Sequence, residues 1–162
     1  MKYKVLTLTQ PWATLVAIGA KRIETRSWYT MFRGPLLIHA AAGLGLGGRR
    51  EMIARCRSDY FDKALESAGY WPVSAIDALP YGAIVAATEL RGCFRIERDP
   101  RTGREVYRDA RTLVDVGLPE VAFGDYTPGR FAWLLTDVRR LPTPIPAKGA
   151  LGLWTWEGDL SL

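Results

Sequence analysis

The chain has 162 residues, 48% of them apolar and 24% charged, which is the size and balance of one globular domain. That composition excludes the disordered and fibrous classes, and no apolar run approaches the roughly 20 residues of a membrane helix. Twenty-two Lys and Arg against 17 Asp and Glu leave a net charge of +5, while two cysteines and a single histidine exclude a disulfide framework, a structural zinc site and a His-rich metal centre.

In chain order, Lys4 to Thr9 alternates Val5, Thr7 and Thr9 with Leu6 and Leu8 and reads as a strand. Pro11 suits the first turn of a helix, with Thr9 or Gln10 as its cap. Trp12, Leu15 and Val16 recur at helical spacing, and Gly19 supplies the stop after about two turns. Lys21-Arg22-Ile23-Glu24-Thr25-Arg26 follows as a polar, extended rim. Arg33-Gly34-Pro35 is a turn and Leu36 to Ala40 an apolar strand. Arg49 to Ala68 has helical character, with Met52, Ile53, Cys56, Tyr60 and Leu65 as a broken apolar stripe. Ala83 to Leu90 is the clearest strand. Arg91, Arg95, Arg98, Arg101, Arg104, Arg108 and Arg111 fall at helix-like steps, but Asp99-Pro100-Arg101-Thr102-Gly103 is a turn, so residues 94–108 read as a hairpin. Residues 112–129 are acidic and turn-rich. Arg130 to Val138 and Ala150 to Glu157 read as the last strands, separated by Pro142, Pro144 and Pro146. Many short strands with a few helices predict an α+β fold, a small mixed barrel in one domain spanning residues 1–162.

Charge is unevenly placed. Residues 1–34 carry Lys2, Lys4, Lys21, Arg22, Arg26 and Arg33 against Glu24 alone, which favours a polyanionic partner. The N-terminus lacks the n-region and h-region of a signal peptide, so the expected address is a reducing cytoplasm without membrane association. Gly43-Leu44-Gly45-Leu46-Gly47-Gly48 satisfies the glycine spacing of a dinucleotide site. It lacks a prompt second parallel strand ending in an acid, and Asp62 sits in helical sequence, so it reads as a surface loop. No motif implies a metal or another cofactor.

Among single residues, His39 lies in an apolar strand and reads as a satisfied core histidine, with a cleft-facing donor or general acid as the alternative. Cys56 and Cys93 read as small buried hydrophobes. Trp12, Trp133, Trp154 and Trp156 sit in patterned elements, whereas Trp28 and Tyr29, in a basic segment, are placed to stack on a base. Lys21 and Glu24 form the sharpest pair. Taken alone, such a pair is a solvated ion pair of small worth; Gly19, Arg26, Arg33 and Gln10 around it turn the reading toward an anion-binding cleft.

Gln10-Pro11-Trp12, Gly19-x-Lys21-x-x-Glu24, Arg26-Ser27-Trp28, Arg33-Gly34, Ile38-His39-Ala40, Gly82 to Val85 with Glu89, Ile145-Pro146-x-Lys148-Gly149 and Gly152-Leu153-Trp154 together resemble the ASCH family (activating signal cointegrator homology) of the PUA-like superfamily. The resemblance spans almost the whole chain. It implies a PUA-like β-barrel with flanking helices and a cleft lined by the Lys and Glu of the motif, with RNA or DNA as partner. Some members of the family are ribonucleases and small bacterial ones are amidohydrolases that deacetylate acetylcytidine. In those the triad is Lys, Thr and Glu; Lys21 and Glu89 match, but Glu24 stands where the Thr would be. The expected nucleic-acid contacts are Gln10, Trp12, Gly19, Lys21, Arg26, Trp28, Tyr29, Arg33, His39, Arg130 and Lys148. The residues of any hydrolase chemistry, whether ribonuclease or nucleoside amidohydrolase, would be Lys21, Glu24 and Glu89. RNA, DNA and a modified nucleoside all remain open as ligands, as does oligomeric state.

Overall fold

A computed structural model of the chain describes residues 1–70 and 73–160. The described residues form eight strands and three α-helices, an α+β arrangement with a mixed sheet, as the sequence predicts. They gather into two compact units. The first comprises Met1–Ala20, Pro35–Thr88 and Asp137–Leu162, and the second Lys21–Gly34 and Glu89–Thr136.

In the first unit, strand β1 (Lys2–Leu8) lies between β3 (Gly34–Ala40), to which it is parallel, and β8 (Leu153–Glu157), to which it is antiparallel. Lys4 pairs with Leu36 and Leu8 with Ala40 on one side; Val5 pairs with Trp154 on the other. A strand flanked on both edges and covered on both faces cannot alternate in and out, which is why Leu36, Leu37 and Ile38 are all buried. Val5, Leu37, Ile84 and Leu141 form one core cluster, with Trp154 and Trp156 packed against it.

Helix α1 (Trp12–Ala17) begins where the Gln10 side chain accepts the Thr14 N–H at 3.1 Å and donates to the Pro80 carbonyl at 2.6 Å. The N-cap is Pro11, which makes no side-chain cap bond, not Thr9 or Gln10 as the sequence suggests; Gln10, one residue earlier, bonds into the first turn and ties the helix to a distant turn. Gly19, at φ +77°, ends the helix by donating to the Val16 carbonyl, a backbone position that L side chains resist. Gly45 and Gly47 of the glycine run take positive φ in an exposed loop, and Gly48, also at positive φ, opens the next helix. The helical stretch that follows is two helices, α2 (Gly48–Cys56) and α3 (Asp59–Ser67), because Ser58 turns extended between them. Asp59 and Asp62 then sit in the first turn of α3, where the helix dipole favours acids, and Phe61 and Leu65 face inward one turn apart.

In the second unit, β2 (Ile23–Arg26) pairs antiparallel with β7 (Phe131–Pro146), Ile23 opposite Leu134 and Arg26 opposite Phe131. Strand β4 (Ala83–Arg98) enters this unit at Glu89 and turns at Asp99 into β5 (Glu105–Asp109), which pairs with β6 (Thr112–Asp115). The hairpin is closed by the Gly103 N–H on the Asp99 carbonyl at 2.8 Å. Its arginines are spaced for ion pairs with neighbouring acids, not for a helix: Arg108 meets Glu97, Arg98 meets Glu105 and Arg104 meets Asp115. Ile23, Ile96, Tyr126 and Ala132 make the core of this unit.

Two differences from the sequence reading have a physical cause. Strand β7 continues through Pro142, Pro144 and Pro146; at alternate positions their missing N–H groups all fall on one edge of the strand. Strand β6 lies within the acidic 112–129 stretch, where half-exposed residues hide any apolar alternation. Replacing Gln10 by Ala removes both hydrogen bonds at once. We expect a loss of about 1–3 kcal/mol in urea unfolding, with Asn, too short to span both partners, recovering little of it.

Candidate nucleic-acid interface

The second unit opens on Lys21, whose side chain is wholly buried. Its ammonium donates to the Ile23 carbonyl and, at 3.1 Å, to the Phe123 carbonyl, and lies 3.5 Å from Glu24 Oε2. Two hydrogen bonds to carbonyls and one ion pair thus meet the buried charge. Glu24, three residues on in β2 and nearly buried, uses its other oxygen to hold Arg26 Nε at 3.3 Å. Charge therefore passes in a line from a sealed ammonium, through a carboxylate, to a guanidinium that is partly in solvent.

Glu120 closes the cluster from a 3-10 turn at Glu120–Phe123. Its carboxylate accepts the Arg22 and Ile23 N–H groups, and burial pushes its pKa above the usual range against the pull of those N–H groups and of Lys21. The buried Tyr126 hydroxyl has no hydrogen-bond partner; burial first, then the charges of Glu120 and Glu24, hold its phenol far above its ordinary value. Neither Glu120 nor Tyr126 was singled out from the sequence. Both lie about a hundred residues from Lys21, in the stretch whose only local signal is acidity and turns.

Beyond β2 the chain displays the residues expected to face a ligand. Trp28 is half-buried edge-on against Trp133, ring centroids 4.6 Å apart, and its carbonyl accepts the Trp133 indole N–H. It is a packed residue with one side open. Tyr29 is exposed, packs its edge on Phe131 and carries the Arg33 guanidinium 6.0 Å from its ring centre. Arg33 also donates to the Thr30 and Phe32 carbonyls, which fixes its direction. Arg130 reaches the Thr25 and Asp125 carbonyls and pairs with the Asp125 carboxylate at 3.4 Å. Glu89, half-buried on β4, forms no ion pair with Lys21 among the described residues.

The other expected contacts belong to the first unit. Gln10 is buried with both ends of its amide engaged. Trp12 packs edge-on against Phe61 beneath Arg55, 4.5 Å from the ring centre. Gly19 has open space where a side chain would stand, so its backbone angle, not a close approach, requires glycine there. Lys148 is exposed. His39 is a core residue: Nε2–H donates to the Ala147 carbonyl at 2.9 Å, and Nδ1 is buried without a partner. Burial lowers its pKa. Cys56 and Cys93 are buried thiols, the former pushed up to about 11 by burial.

The sequence pattern of the ASCH domain matches residues 6–144. The chain belongs to the ASCH domain family. Its similarity to individual proteins is local: it is 57% identical over 37 residues, 23% of its own length, to human Activating signal cointegrator 1. Against the mouse protein of the same name it is 57% identical over 35 residues. The chain spans only 6% of the length of these relatives. At family level an ASCH domain is a nucleic-acid-binding type of domain. No helix of this one, among the described residues, is long and apolar enough to cross a membrane.

Lys21→Met should destabilise this ASCH domain by about 3–5 kcal/mol, because it leaves two carbonyls without their donor and Glu24 with Arg26 alone in a buried site. The double variant with Glu24→Gln should recover part of that loss in the same urea titration. For His39 the folded pKa lies below the unfolded value of 6.5, so the unfolded chain takes up a proton first as pH falls. Stability contributed by the neutral ring is present above pH 6.5 and lost as pH drops through the folded pKa. His39→Gln should flatten that part of the stability profile between wild type and variant.

Proposed function

We propose that this ASCH domain binds RNA as single-stranded or modified nucleotides, on the face supported by Lys21 and Glu24. The observation that carries the reading is the Lys21–Glu24–Arg26 line. An ammonium held by two carbonyls orients the carboxylate, and the carboxylate orients a partly exposed guanidinium. Lys21 thus acts from beneath, and the phosphate contacts fall to Arg26, Arg33 and Arg130. Tyr29 and the open side of Trp28 offer aromatic surface for a base within the same segment. Guanidiniums held by carbonyls and carboxylates lose less freedom on meeting phosphate than free side chains do.

The same geometry favours binding over hydrolysis. A lysine wholly buried, bonded to two carbonyls and paired with a carboxylate is poorly placed to serve as nucleophile or base, which both RNA cleavage and deacylation of a nucleoside would ask of Lys21 or its neighbours. Fluorescence anisotropy with a short single-stranded RNA tests the proposal. Affinity should fall with salt, each phosphate contact contributing about 0.7 to the slope of log affinity against log salt. Arg26→Ala with Arg33→Ala should flatten that slope by about 1.4, whereas Lys148→Ala should change it less. An unchanged slope in the double variant sinks the assignment.

A further inference from the structure

We propose that Arg91, Arg95 and Arg108 form a phosphate track on the sheet face beside Arg33, so that the ligand is a run of single-stranded RNA and not a lone nucleotide. The proposal rests on the nucleic-acid reading above and carries it from the Arg26–Arg33 segment onto β4 and β5. It also gives a use to an arginine series that the ion pairs of the hairpin absorb only in part.

The strands of the second unit run in the order β2, β7, β4, β5, β6. Alternate residues of a strand share a face. Ile96 lies in the core, and a Cβ on Gly92 would stand 2.1 Å from the Phe94 ring, so Gly92, Phe94 and Ile96 occupy one face of β4. Arg91, Cys93 and Arg95 therefore occupy the other. Arg33 and its loop approach from that second side: the Thr30 backbone hydrogen-bonds the Cys93 thiol, and the Arg33 charge acts on it. Cys93 is thus the middle of three residues whose outer two are exposed arginines, about 13 Å apart along the strand. The Ile96 N–H donates to the Arg130 carbonyl at 2.8 Å. Arg95 is thereby set beside the start of β7, where Tyr29 packs on Phe131.

Positive charge is in surplus on this face. Arg95 stands directly opposite Arg108 in the β4–β5 ladder, and like charges so placed repel. One carboxylate serves both. Glu97 accepts hydrogen bonds from Arg108 Nε and Nη2 at 2.7 and 2.6 Å, and the Arg95 charge acts on it as well. Arg108 keeps Nη1 for an anion, and neither Arg91 nor Arg95 forms an ion pair among the described residues. A polyanion laid across the face relieves that repulsion. Reach then selects the polyanion's form, because one nucleotide brings one phosphate and cannot meet arginines about 13 Å apart. The aromatic surface of Tyr29 beside the track favours a chain that carries bases over an acidic peptide.

Fluorescence anisotropy with a tetranucleotide and a dodecanucleotide of single-stranded RNA tests the track, both lengths lying within the usual site size of such folds. We expect the longer strand to bind at least about tenfold more tightly, with a steeper dependence on salt. Arg91→Gln with Arg95→Gln should lower the dodecanucleotide's slope of log affinity against log salt by about 1.4 and leave the tetranucleotide within about twofold. Arg95→Gln alone should weaken the longer strand without lowering the melting temperature, because it removes one of two facing cations. That combination separates a ligand contact from damage to the fold. Equal affinity for the two lengths, or an unchanged slope in the double variant, overturns the proposal. Displacement of the RNA by an equally long oligoglutamate at the same concentration also overturns it, and assigns the face to an acidic protein segment. If the tetranucleotide still depends on Arg26 and Arg33, only the track is lost. If the longer strand depends on Arg91 and Arg95 but not on Arg26 and Arg33, the track stands and only the earlier assignment is lost.

Discussion

A lysine ammonium sealed from water is the constraint on which the second unit depends. Burying such a charge is expensive unless it is hydrogen-bonded and paired, and here two carbonyls bond it and a carboxylate pairs with it. The demand explains several separate features. The 3-10 turn must bring the Phe123 carbonyl to Lys21, and Glu24 must sit on the first strand after the helix. Glu120 must arrive to take the Arg22 and Ile23 N–H groups that the bend at Lys21 leaves open. One cation thereby organises two segments about a hundred residues apart.

A division of labour follows between residues that hold the proposed interface from within and residues that reach the surface. The Gly-x-Lys-x-x-Glu spacing looks, in one dimension, like a row of ligand contacts. In three dimensions Lys21 is interior, Glu24 is nearly so, and Arg26 reaches the surface. Spacing of this kind therefore specifies support for a binding face as much as the face itself. Gln10 follows the same pattern in the first unit, where its amide is spent on the Thr14 N–H and the Pro80 carbonyl.

Much of this was readable from local sequence. The hairpin turn at Asp99, the helix ended by Gly19 and the apolar strand at Leu36 depend on neighbours a few residues away, so their signals sit in short windows. The Lys21–Glu24 pair was readable for the same reason. What stayed hidden needs distant partners. Glu120 and Tyr126 gain meaning only when a turn folds onto β2. The end of strand β7 is illegible because prolines read as breakers when counted, yet are tolerated when they alternate along one edge. Trp28 was read as free to stack, and its partner Trp133 lies on a strand far along the chain.

That tryptophan pair has an optical consequence. Two indoles held edge to face at short range couple their excited states, so they give the near-ultraviolet dichroism and the emission of this molecule a signature rooted in one place. Trp133 is fixed in the interior while Trp28 stands at the base of the basic, aromatic segment. A shift of that segment would alter the coupling before it altered the core, which makes the chain its own spectroscopic gauge, with no dye attached.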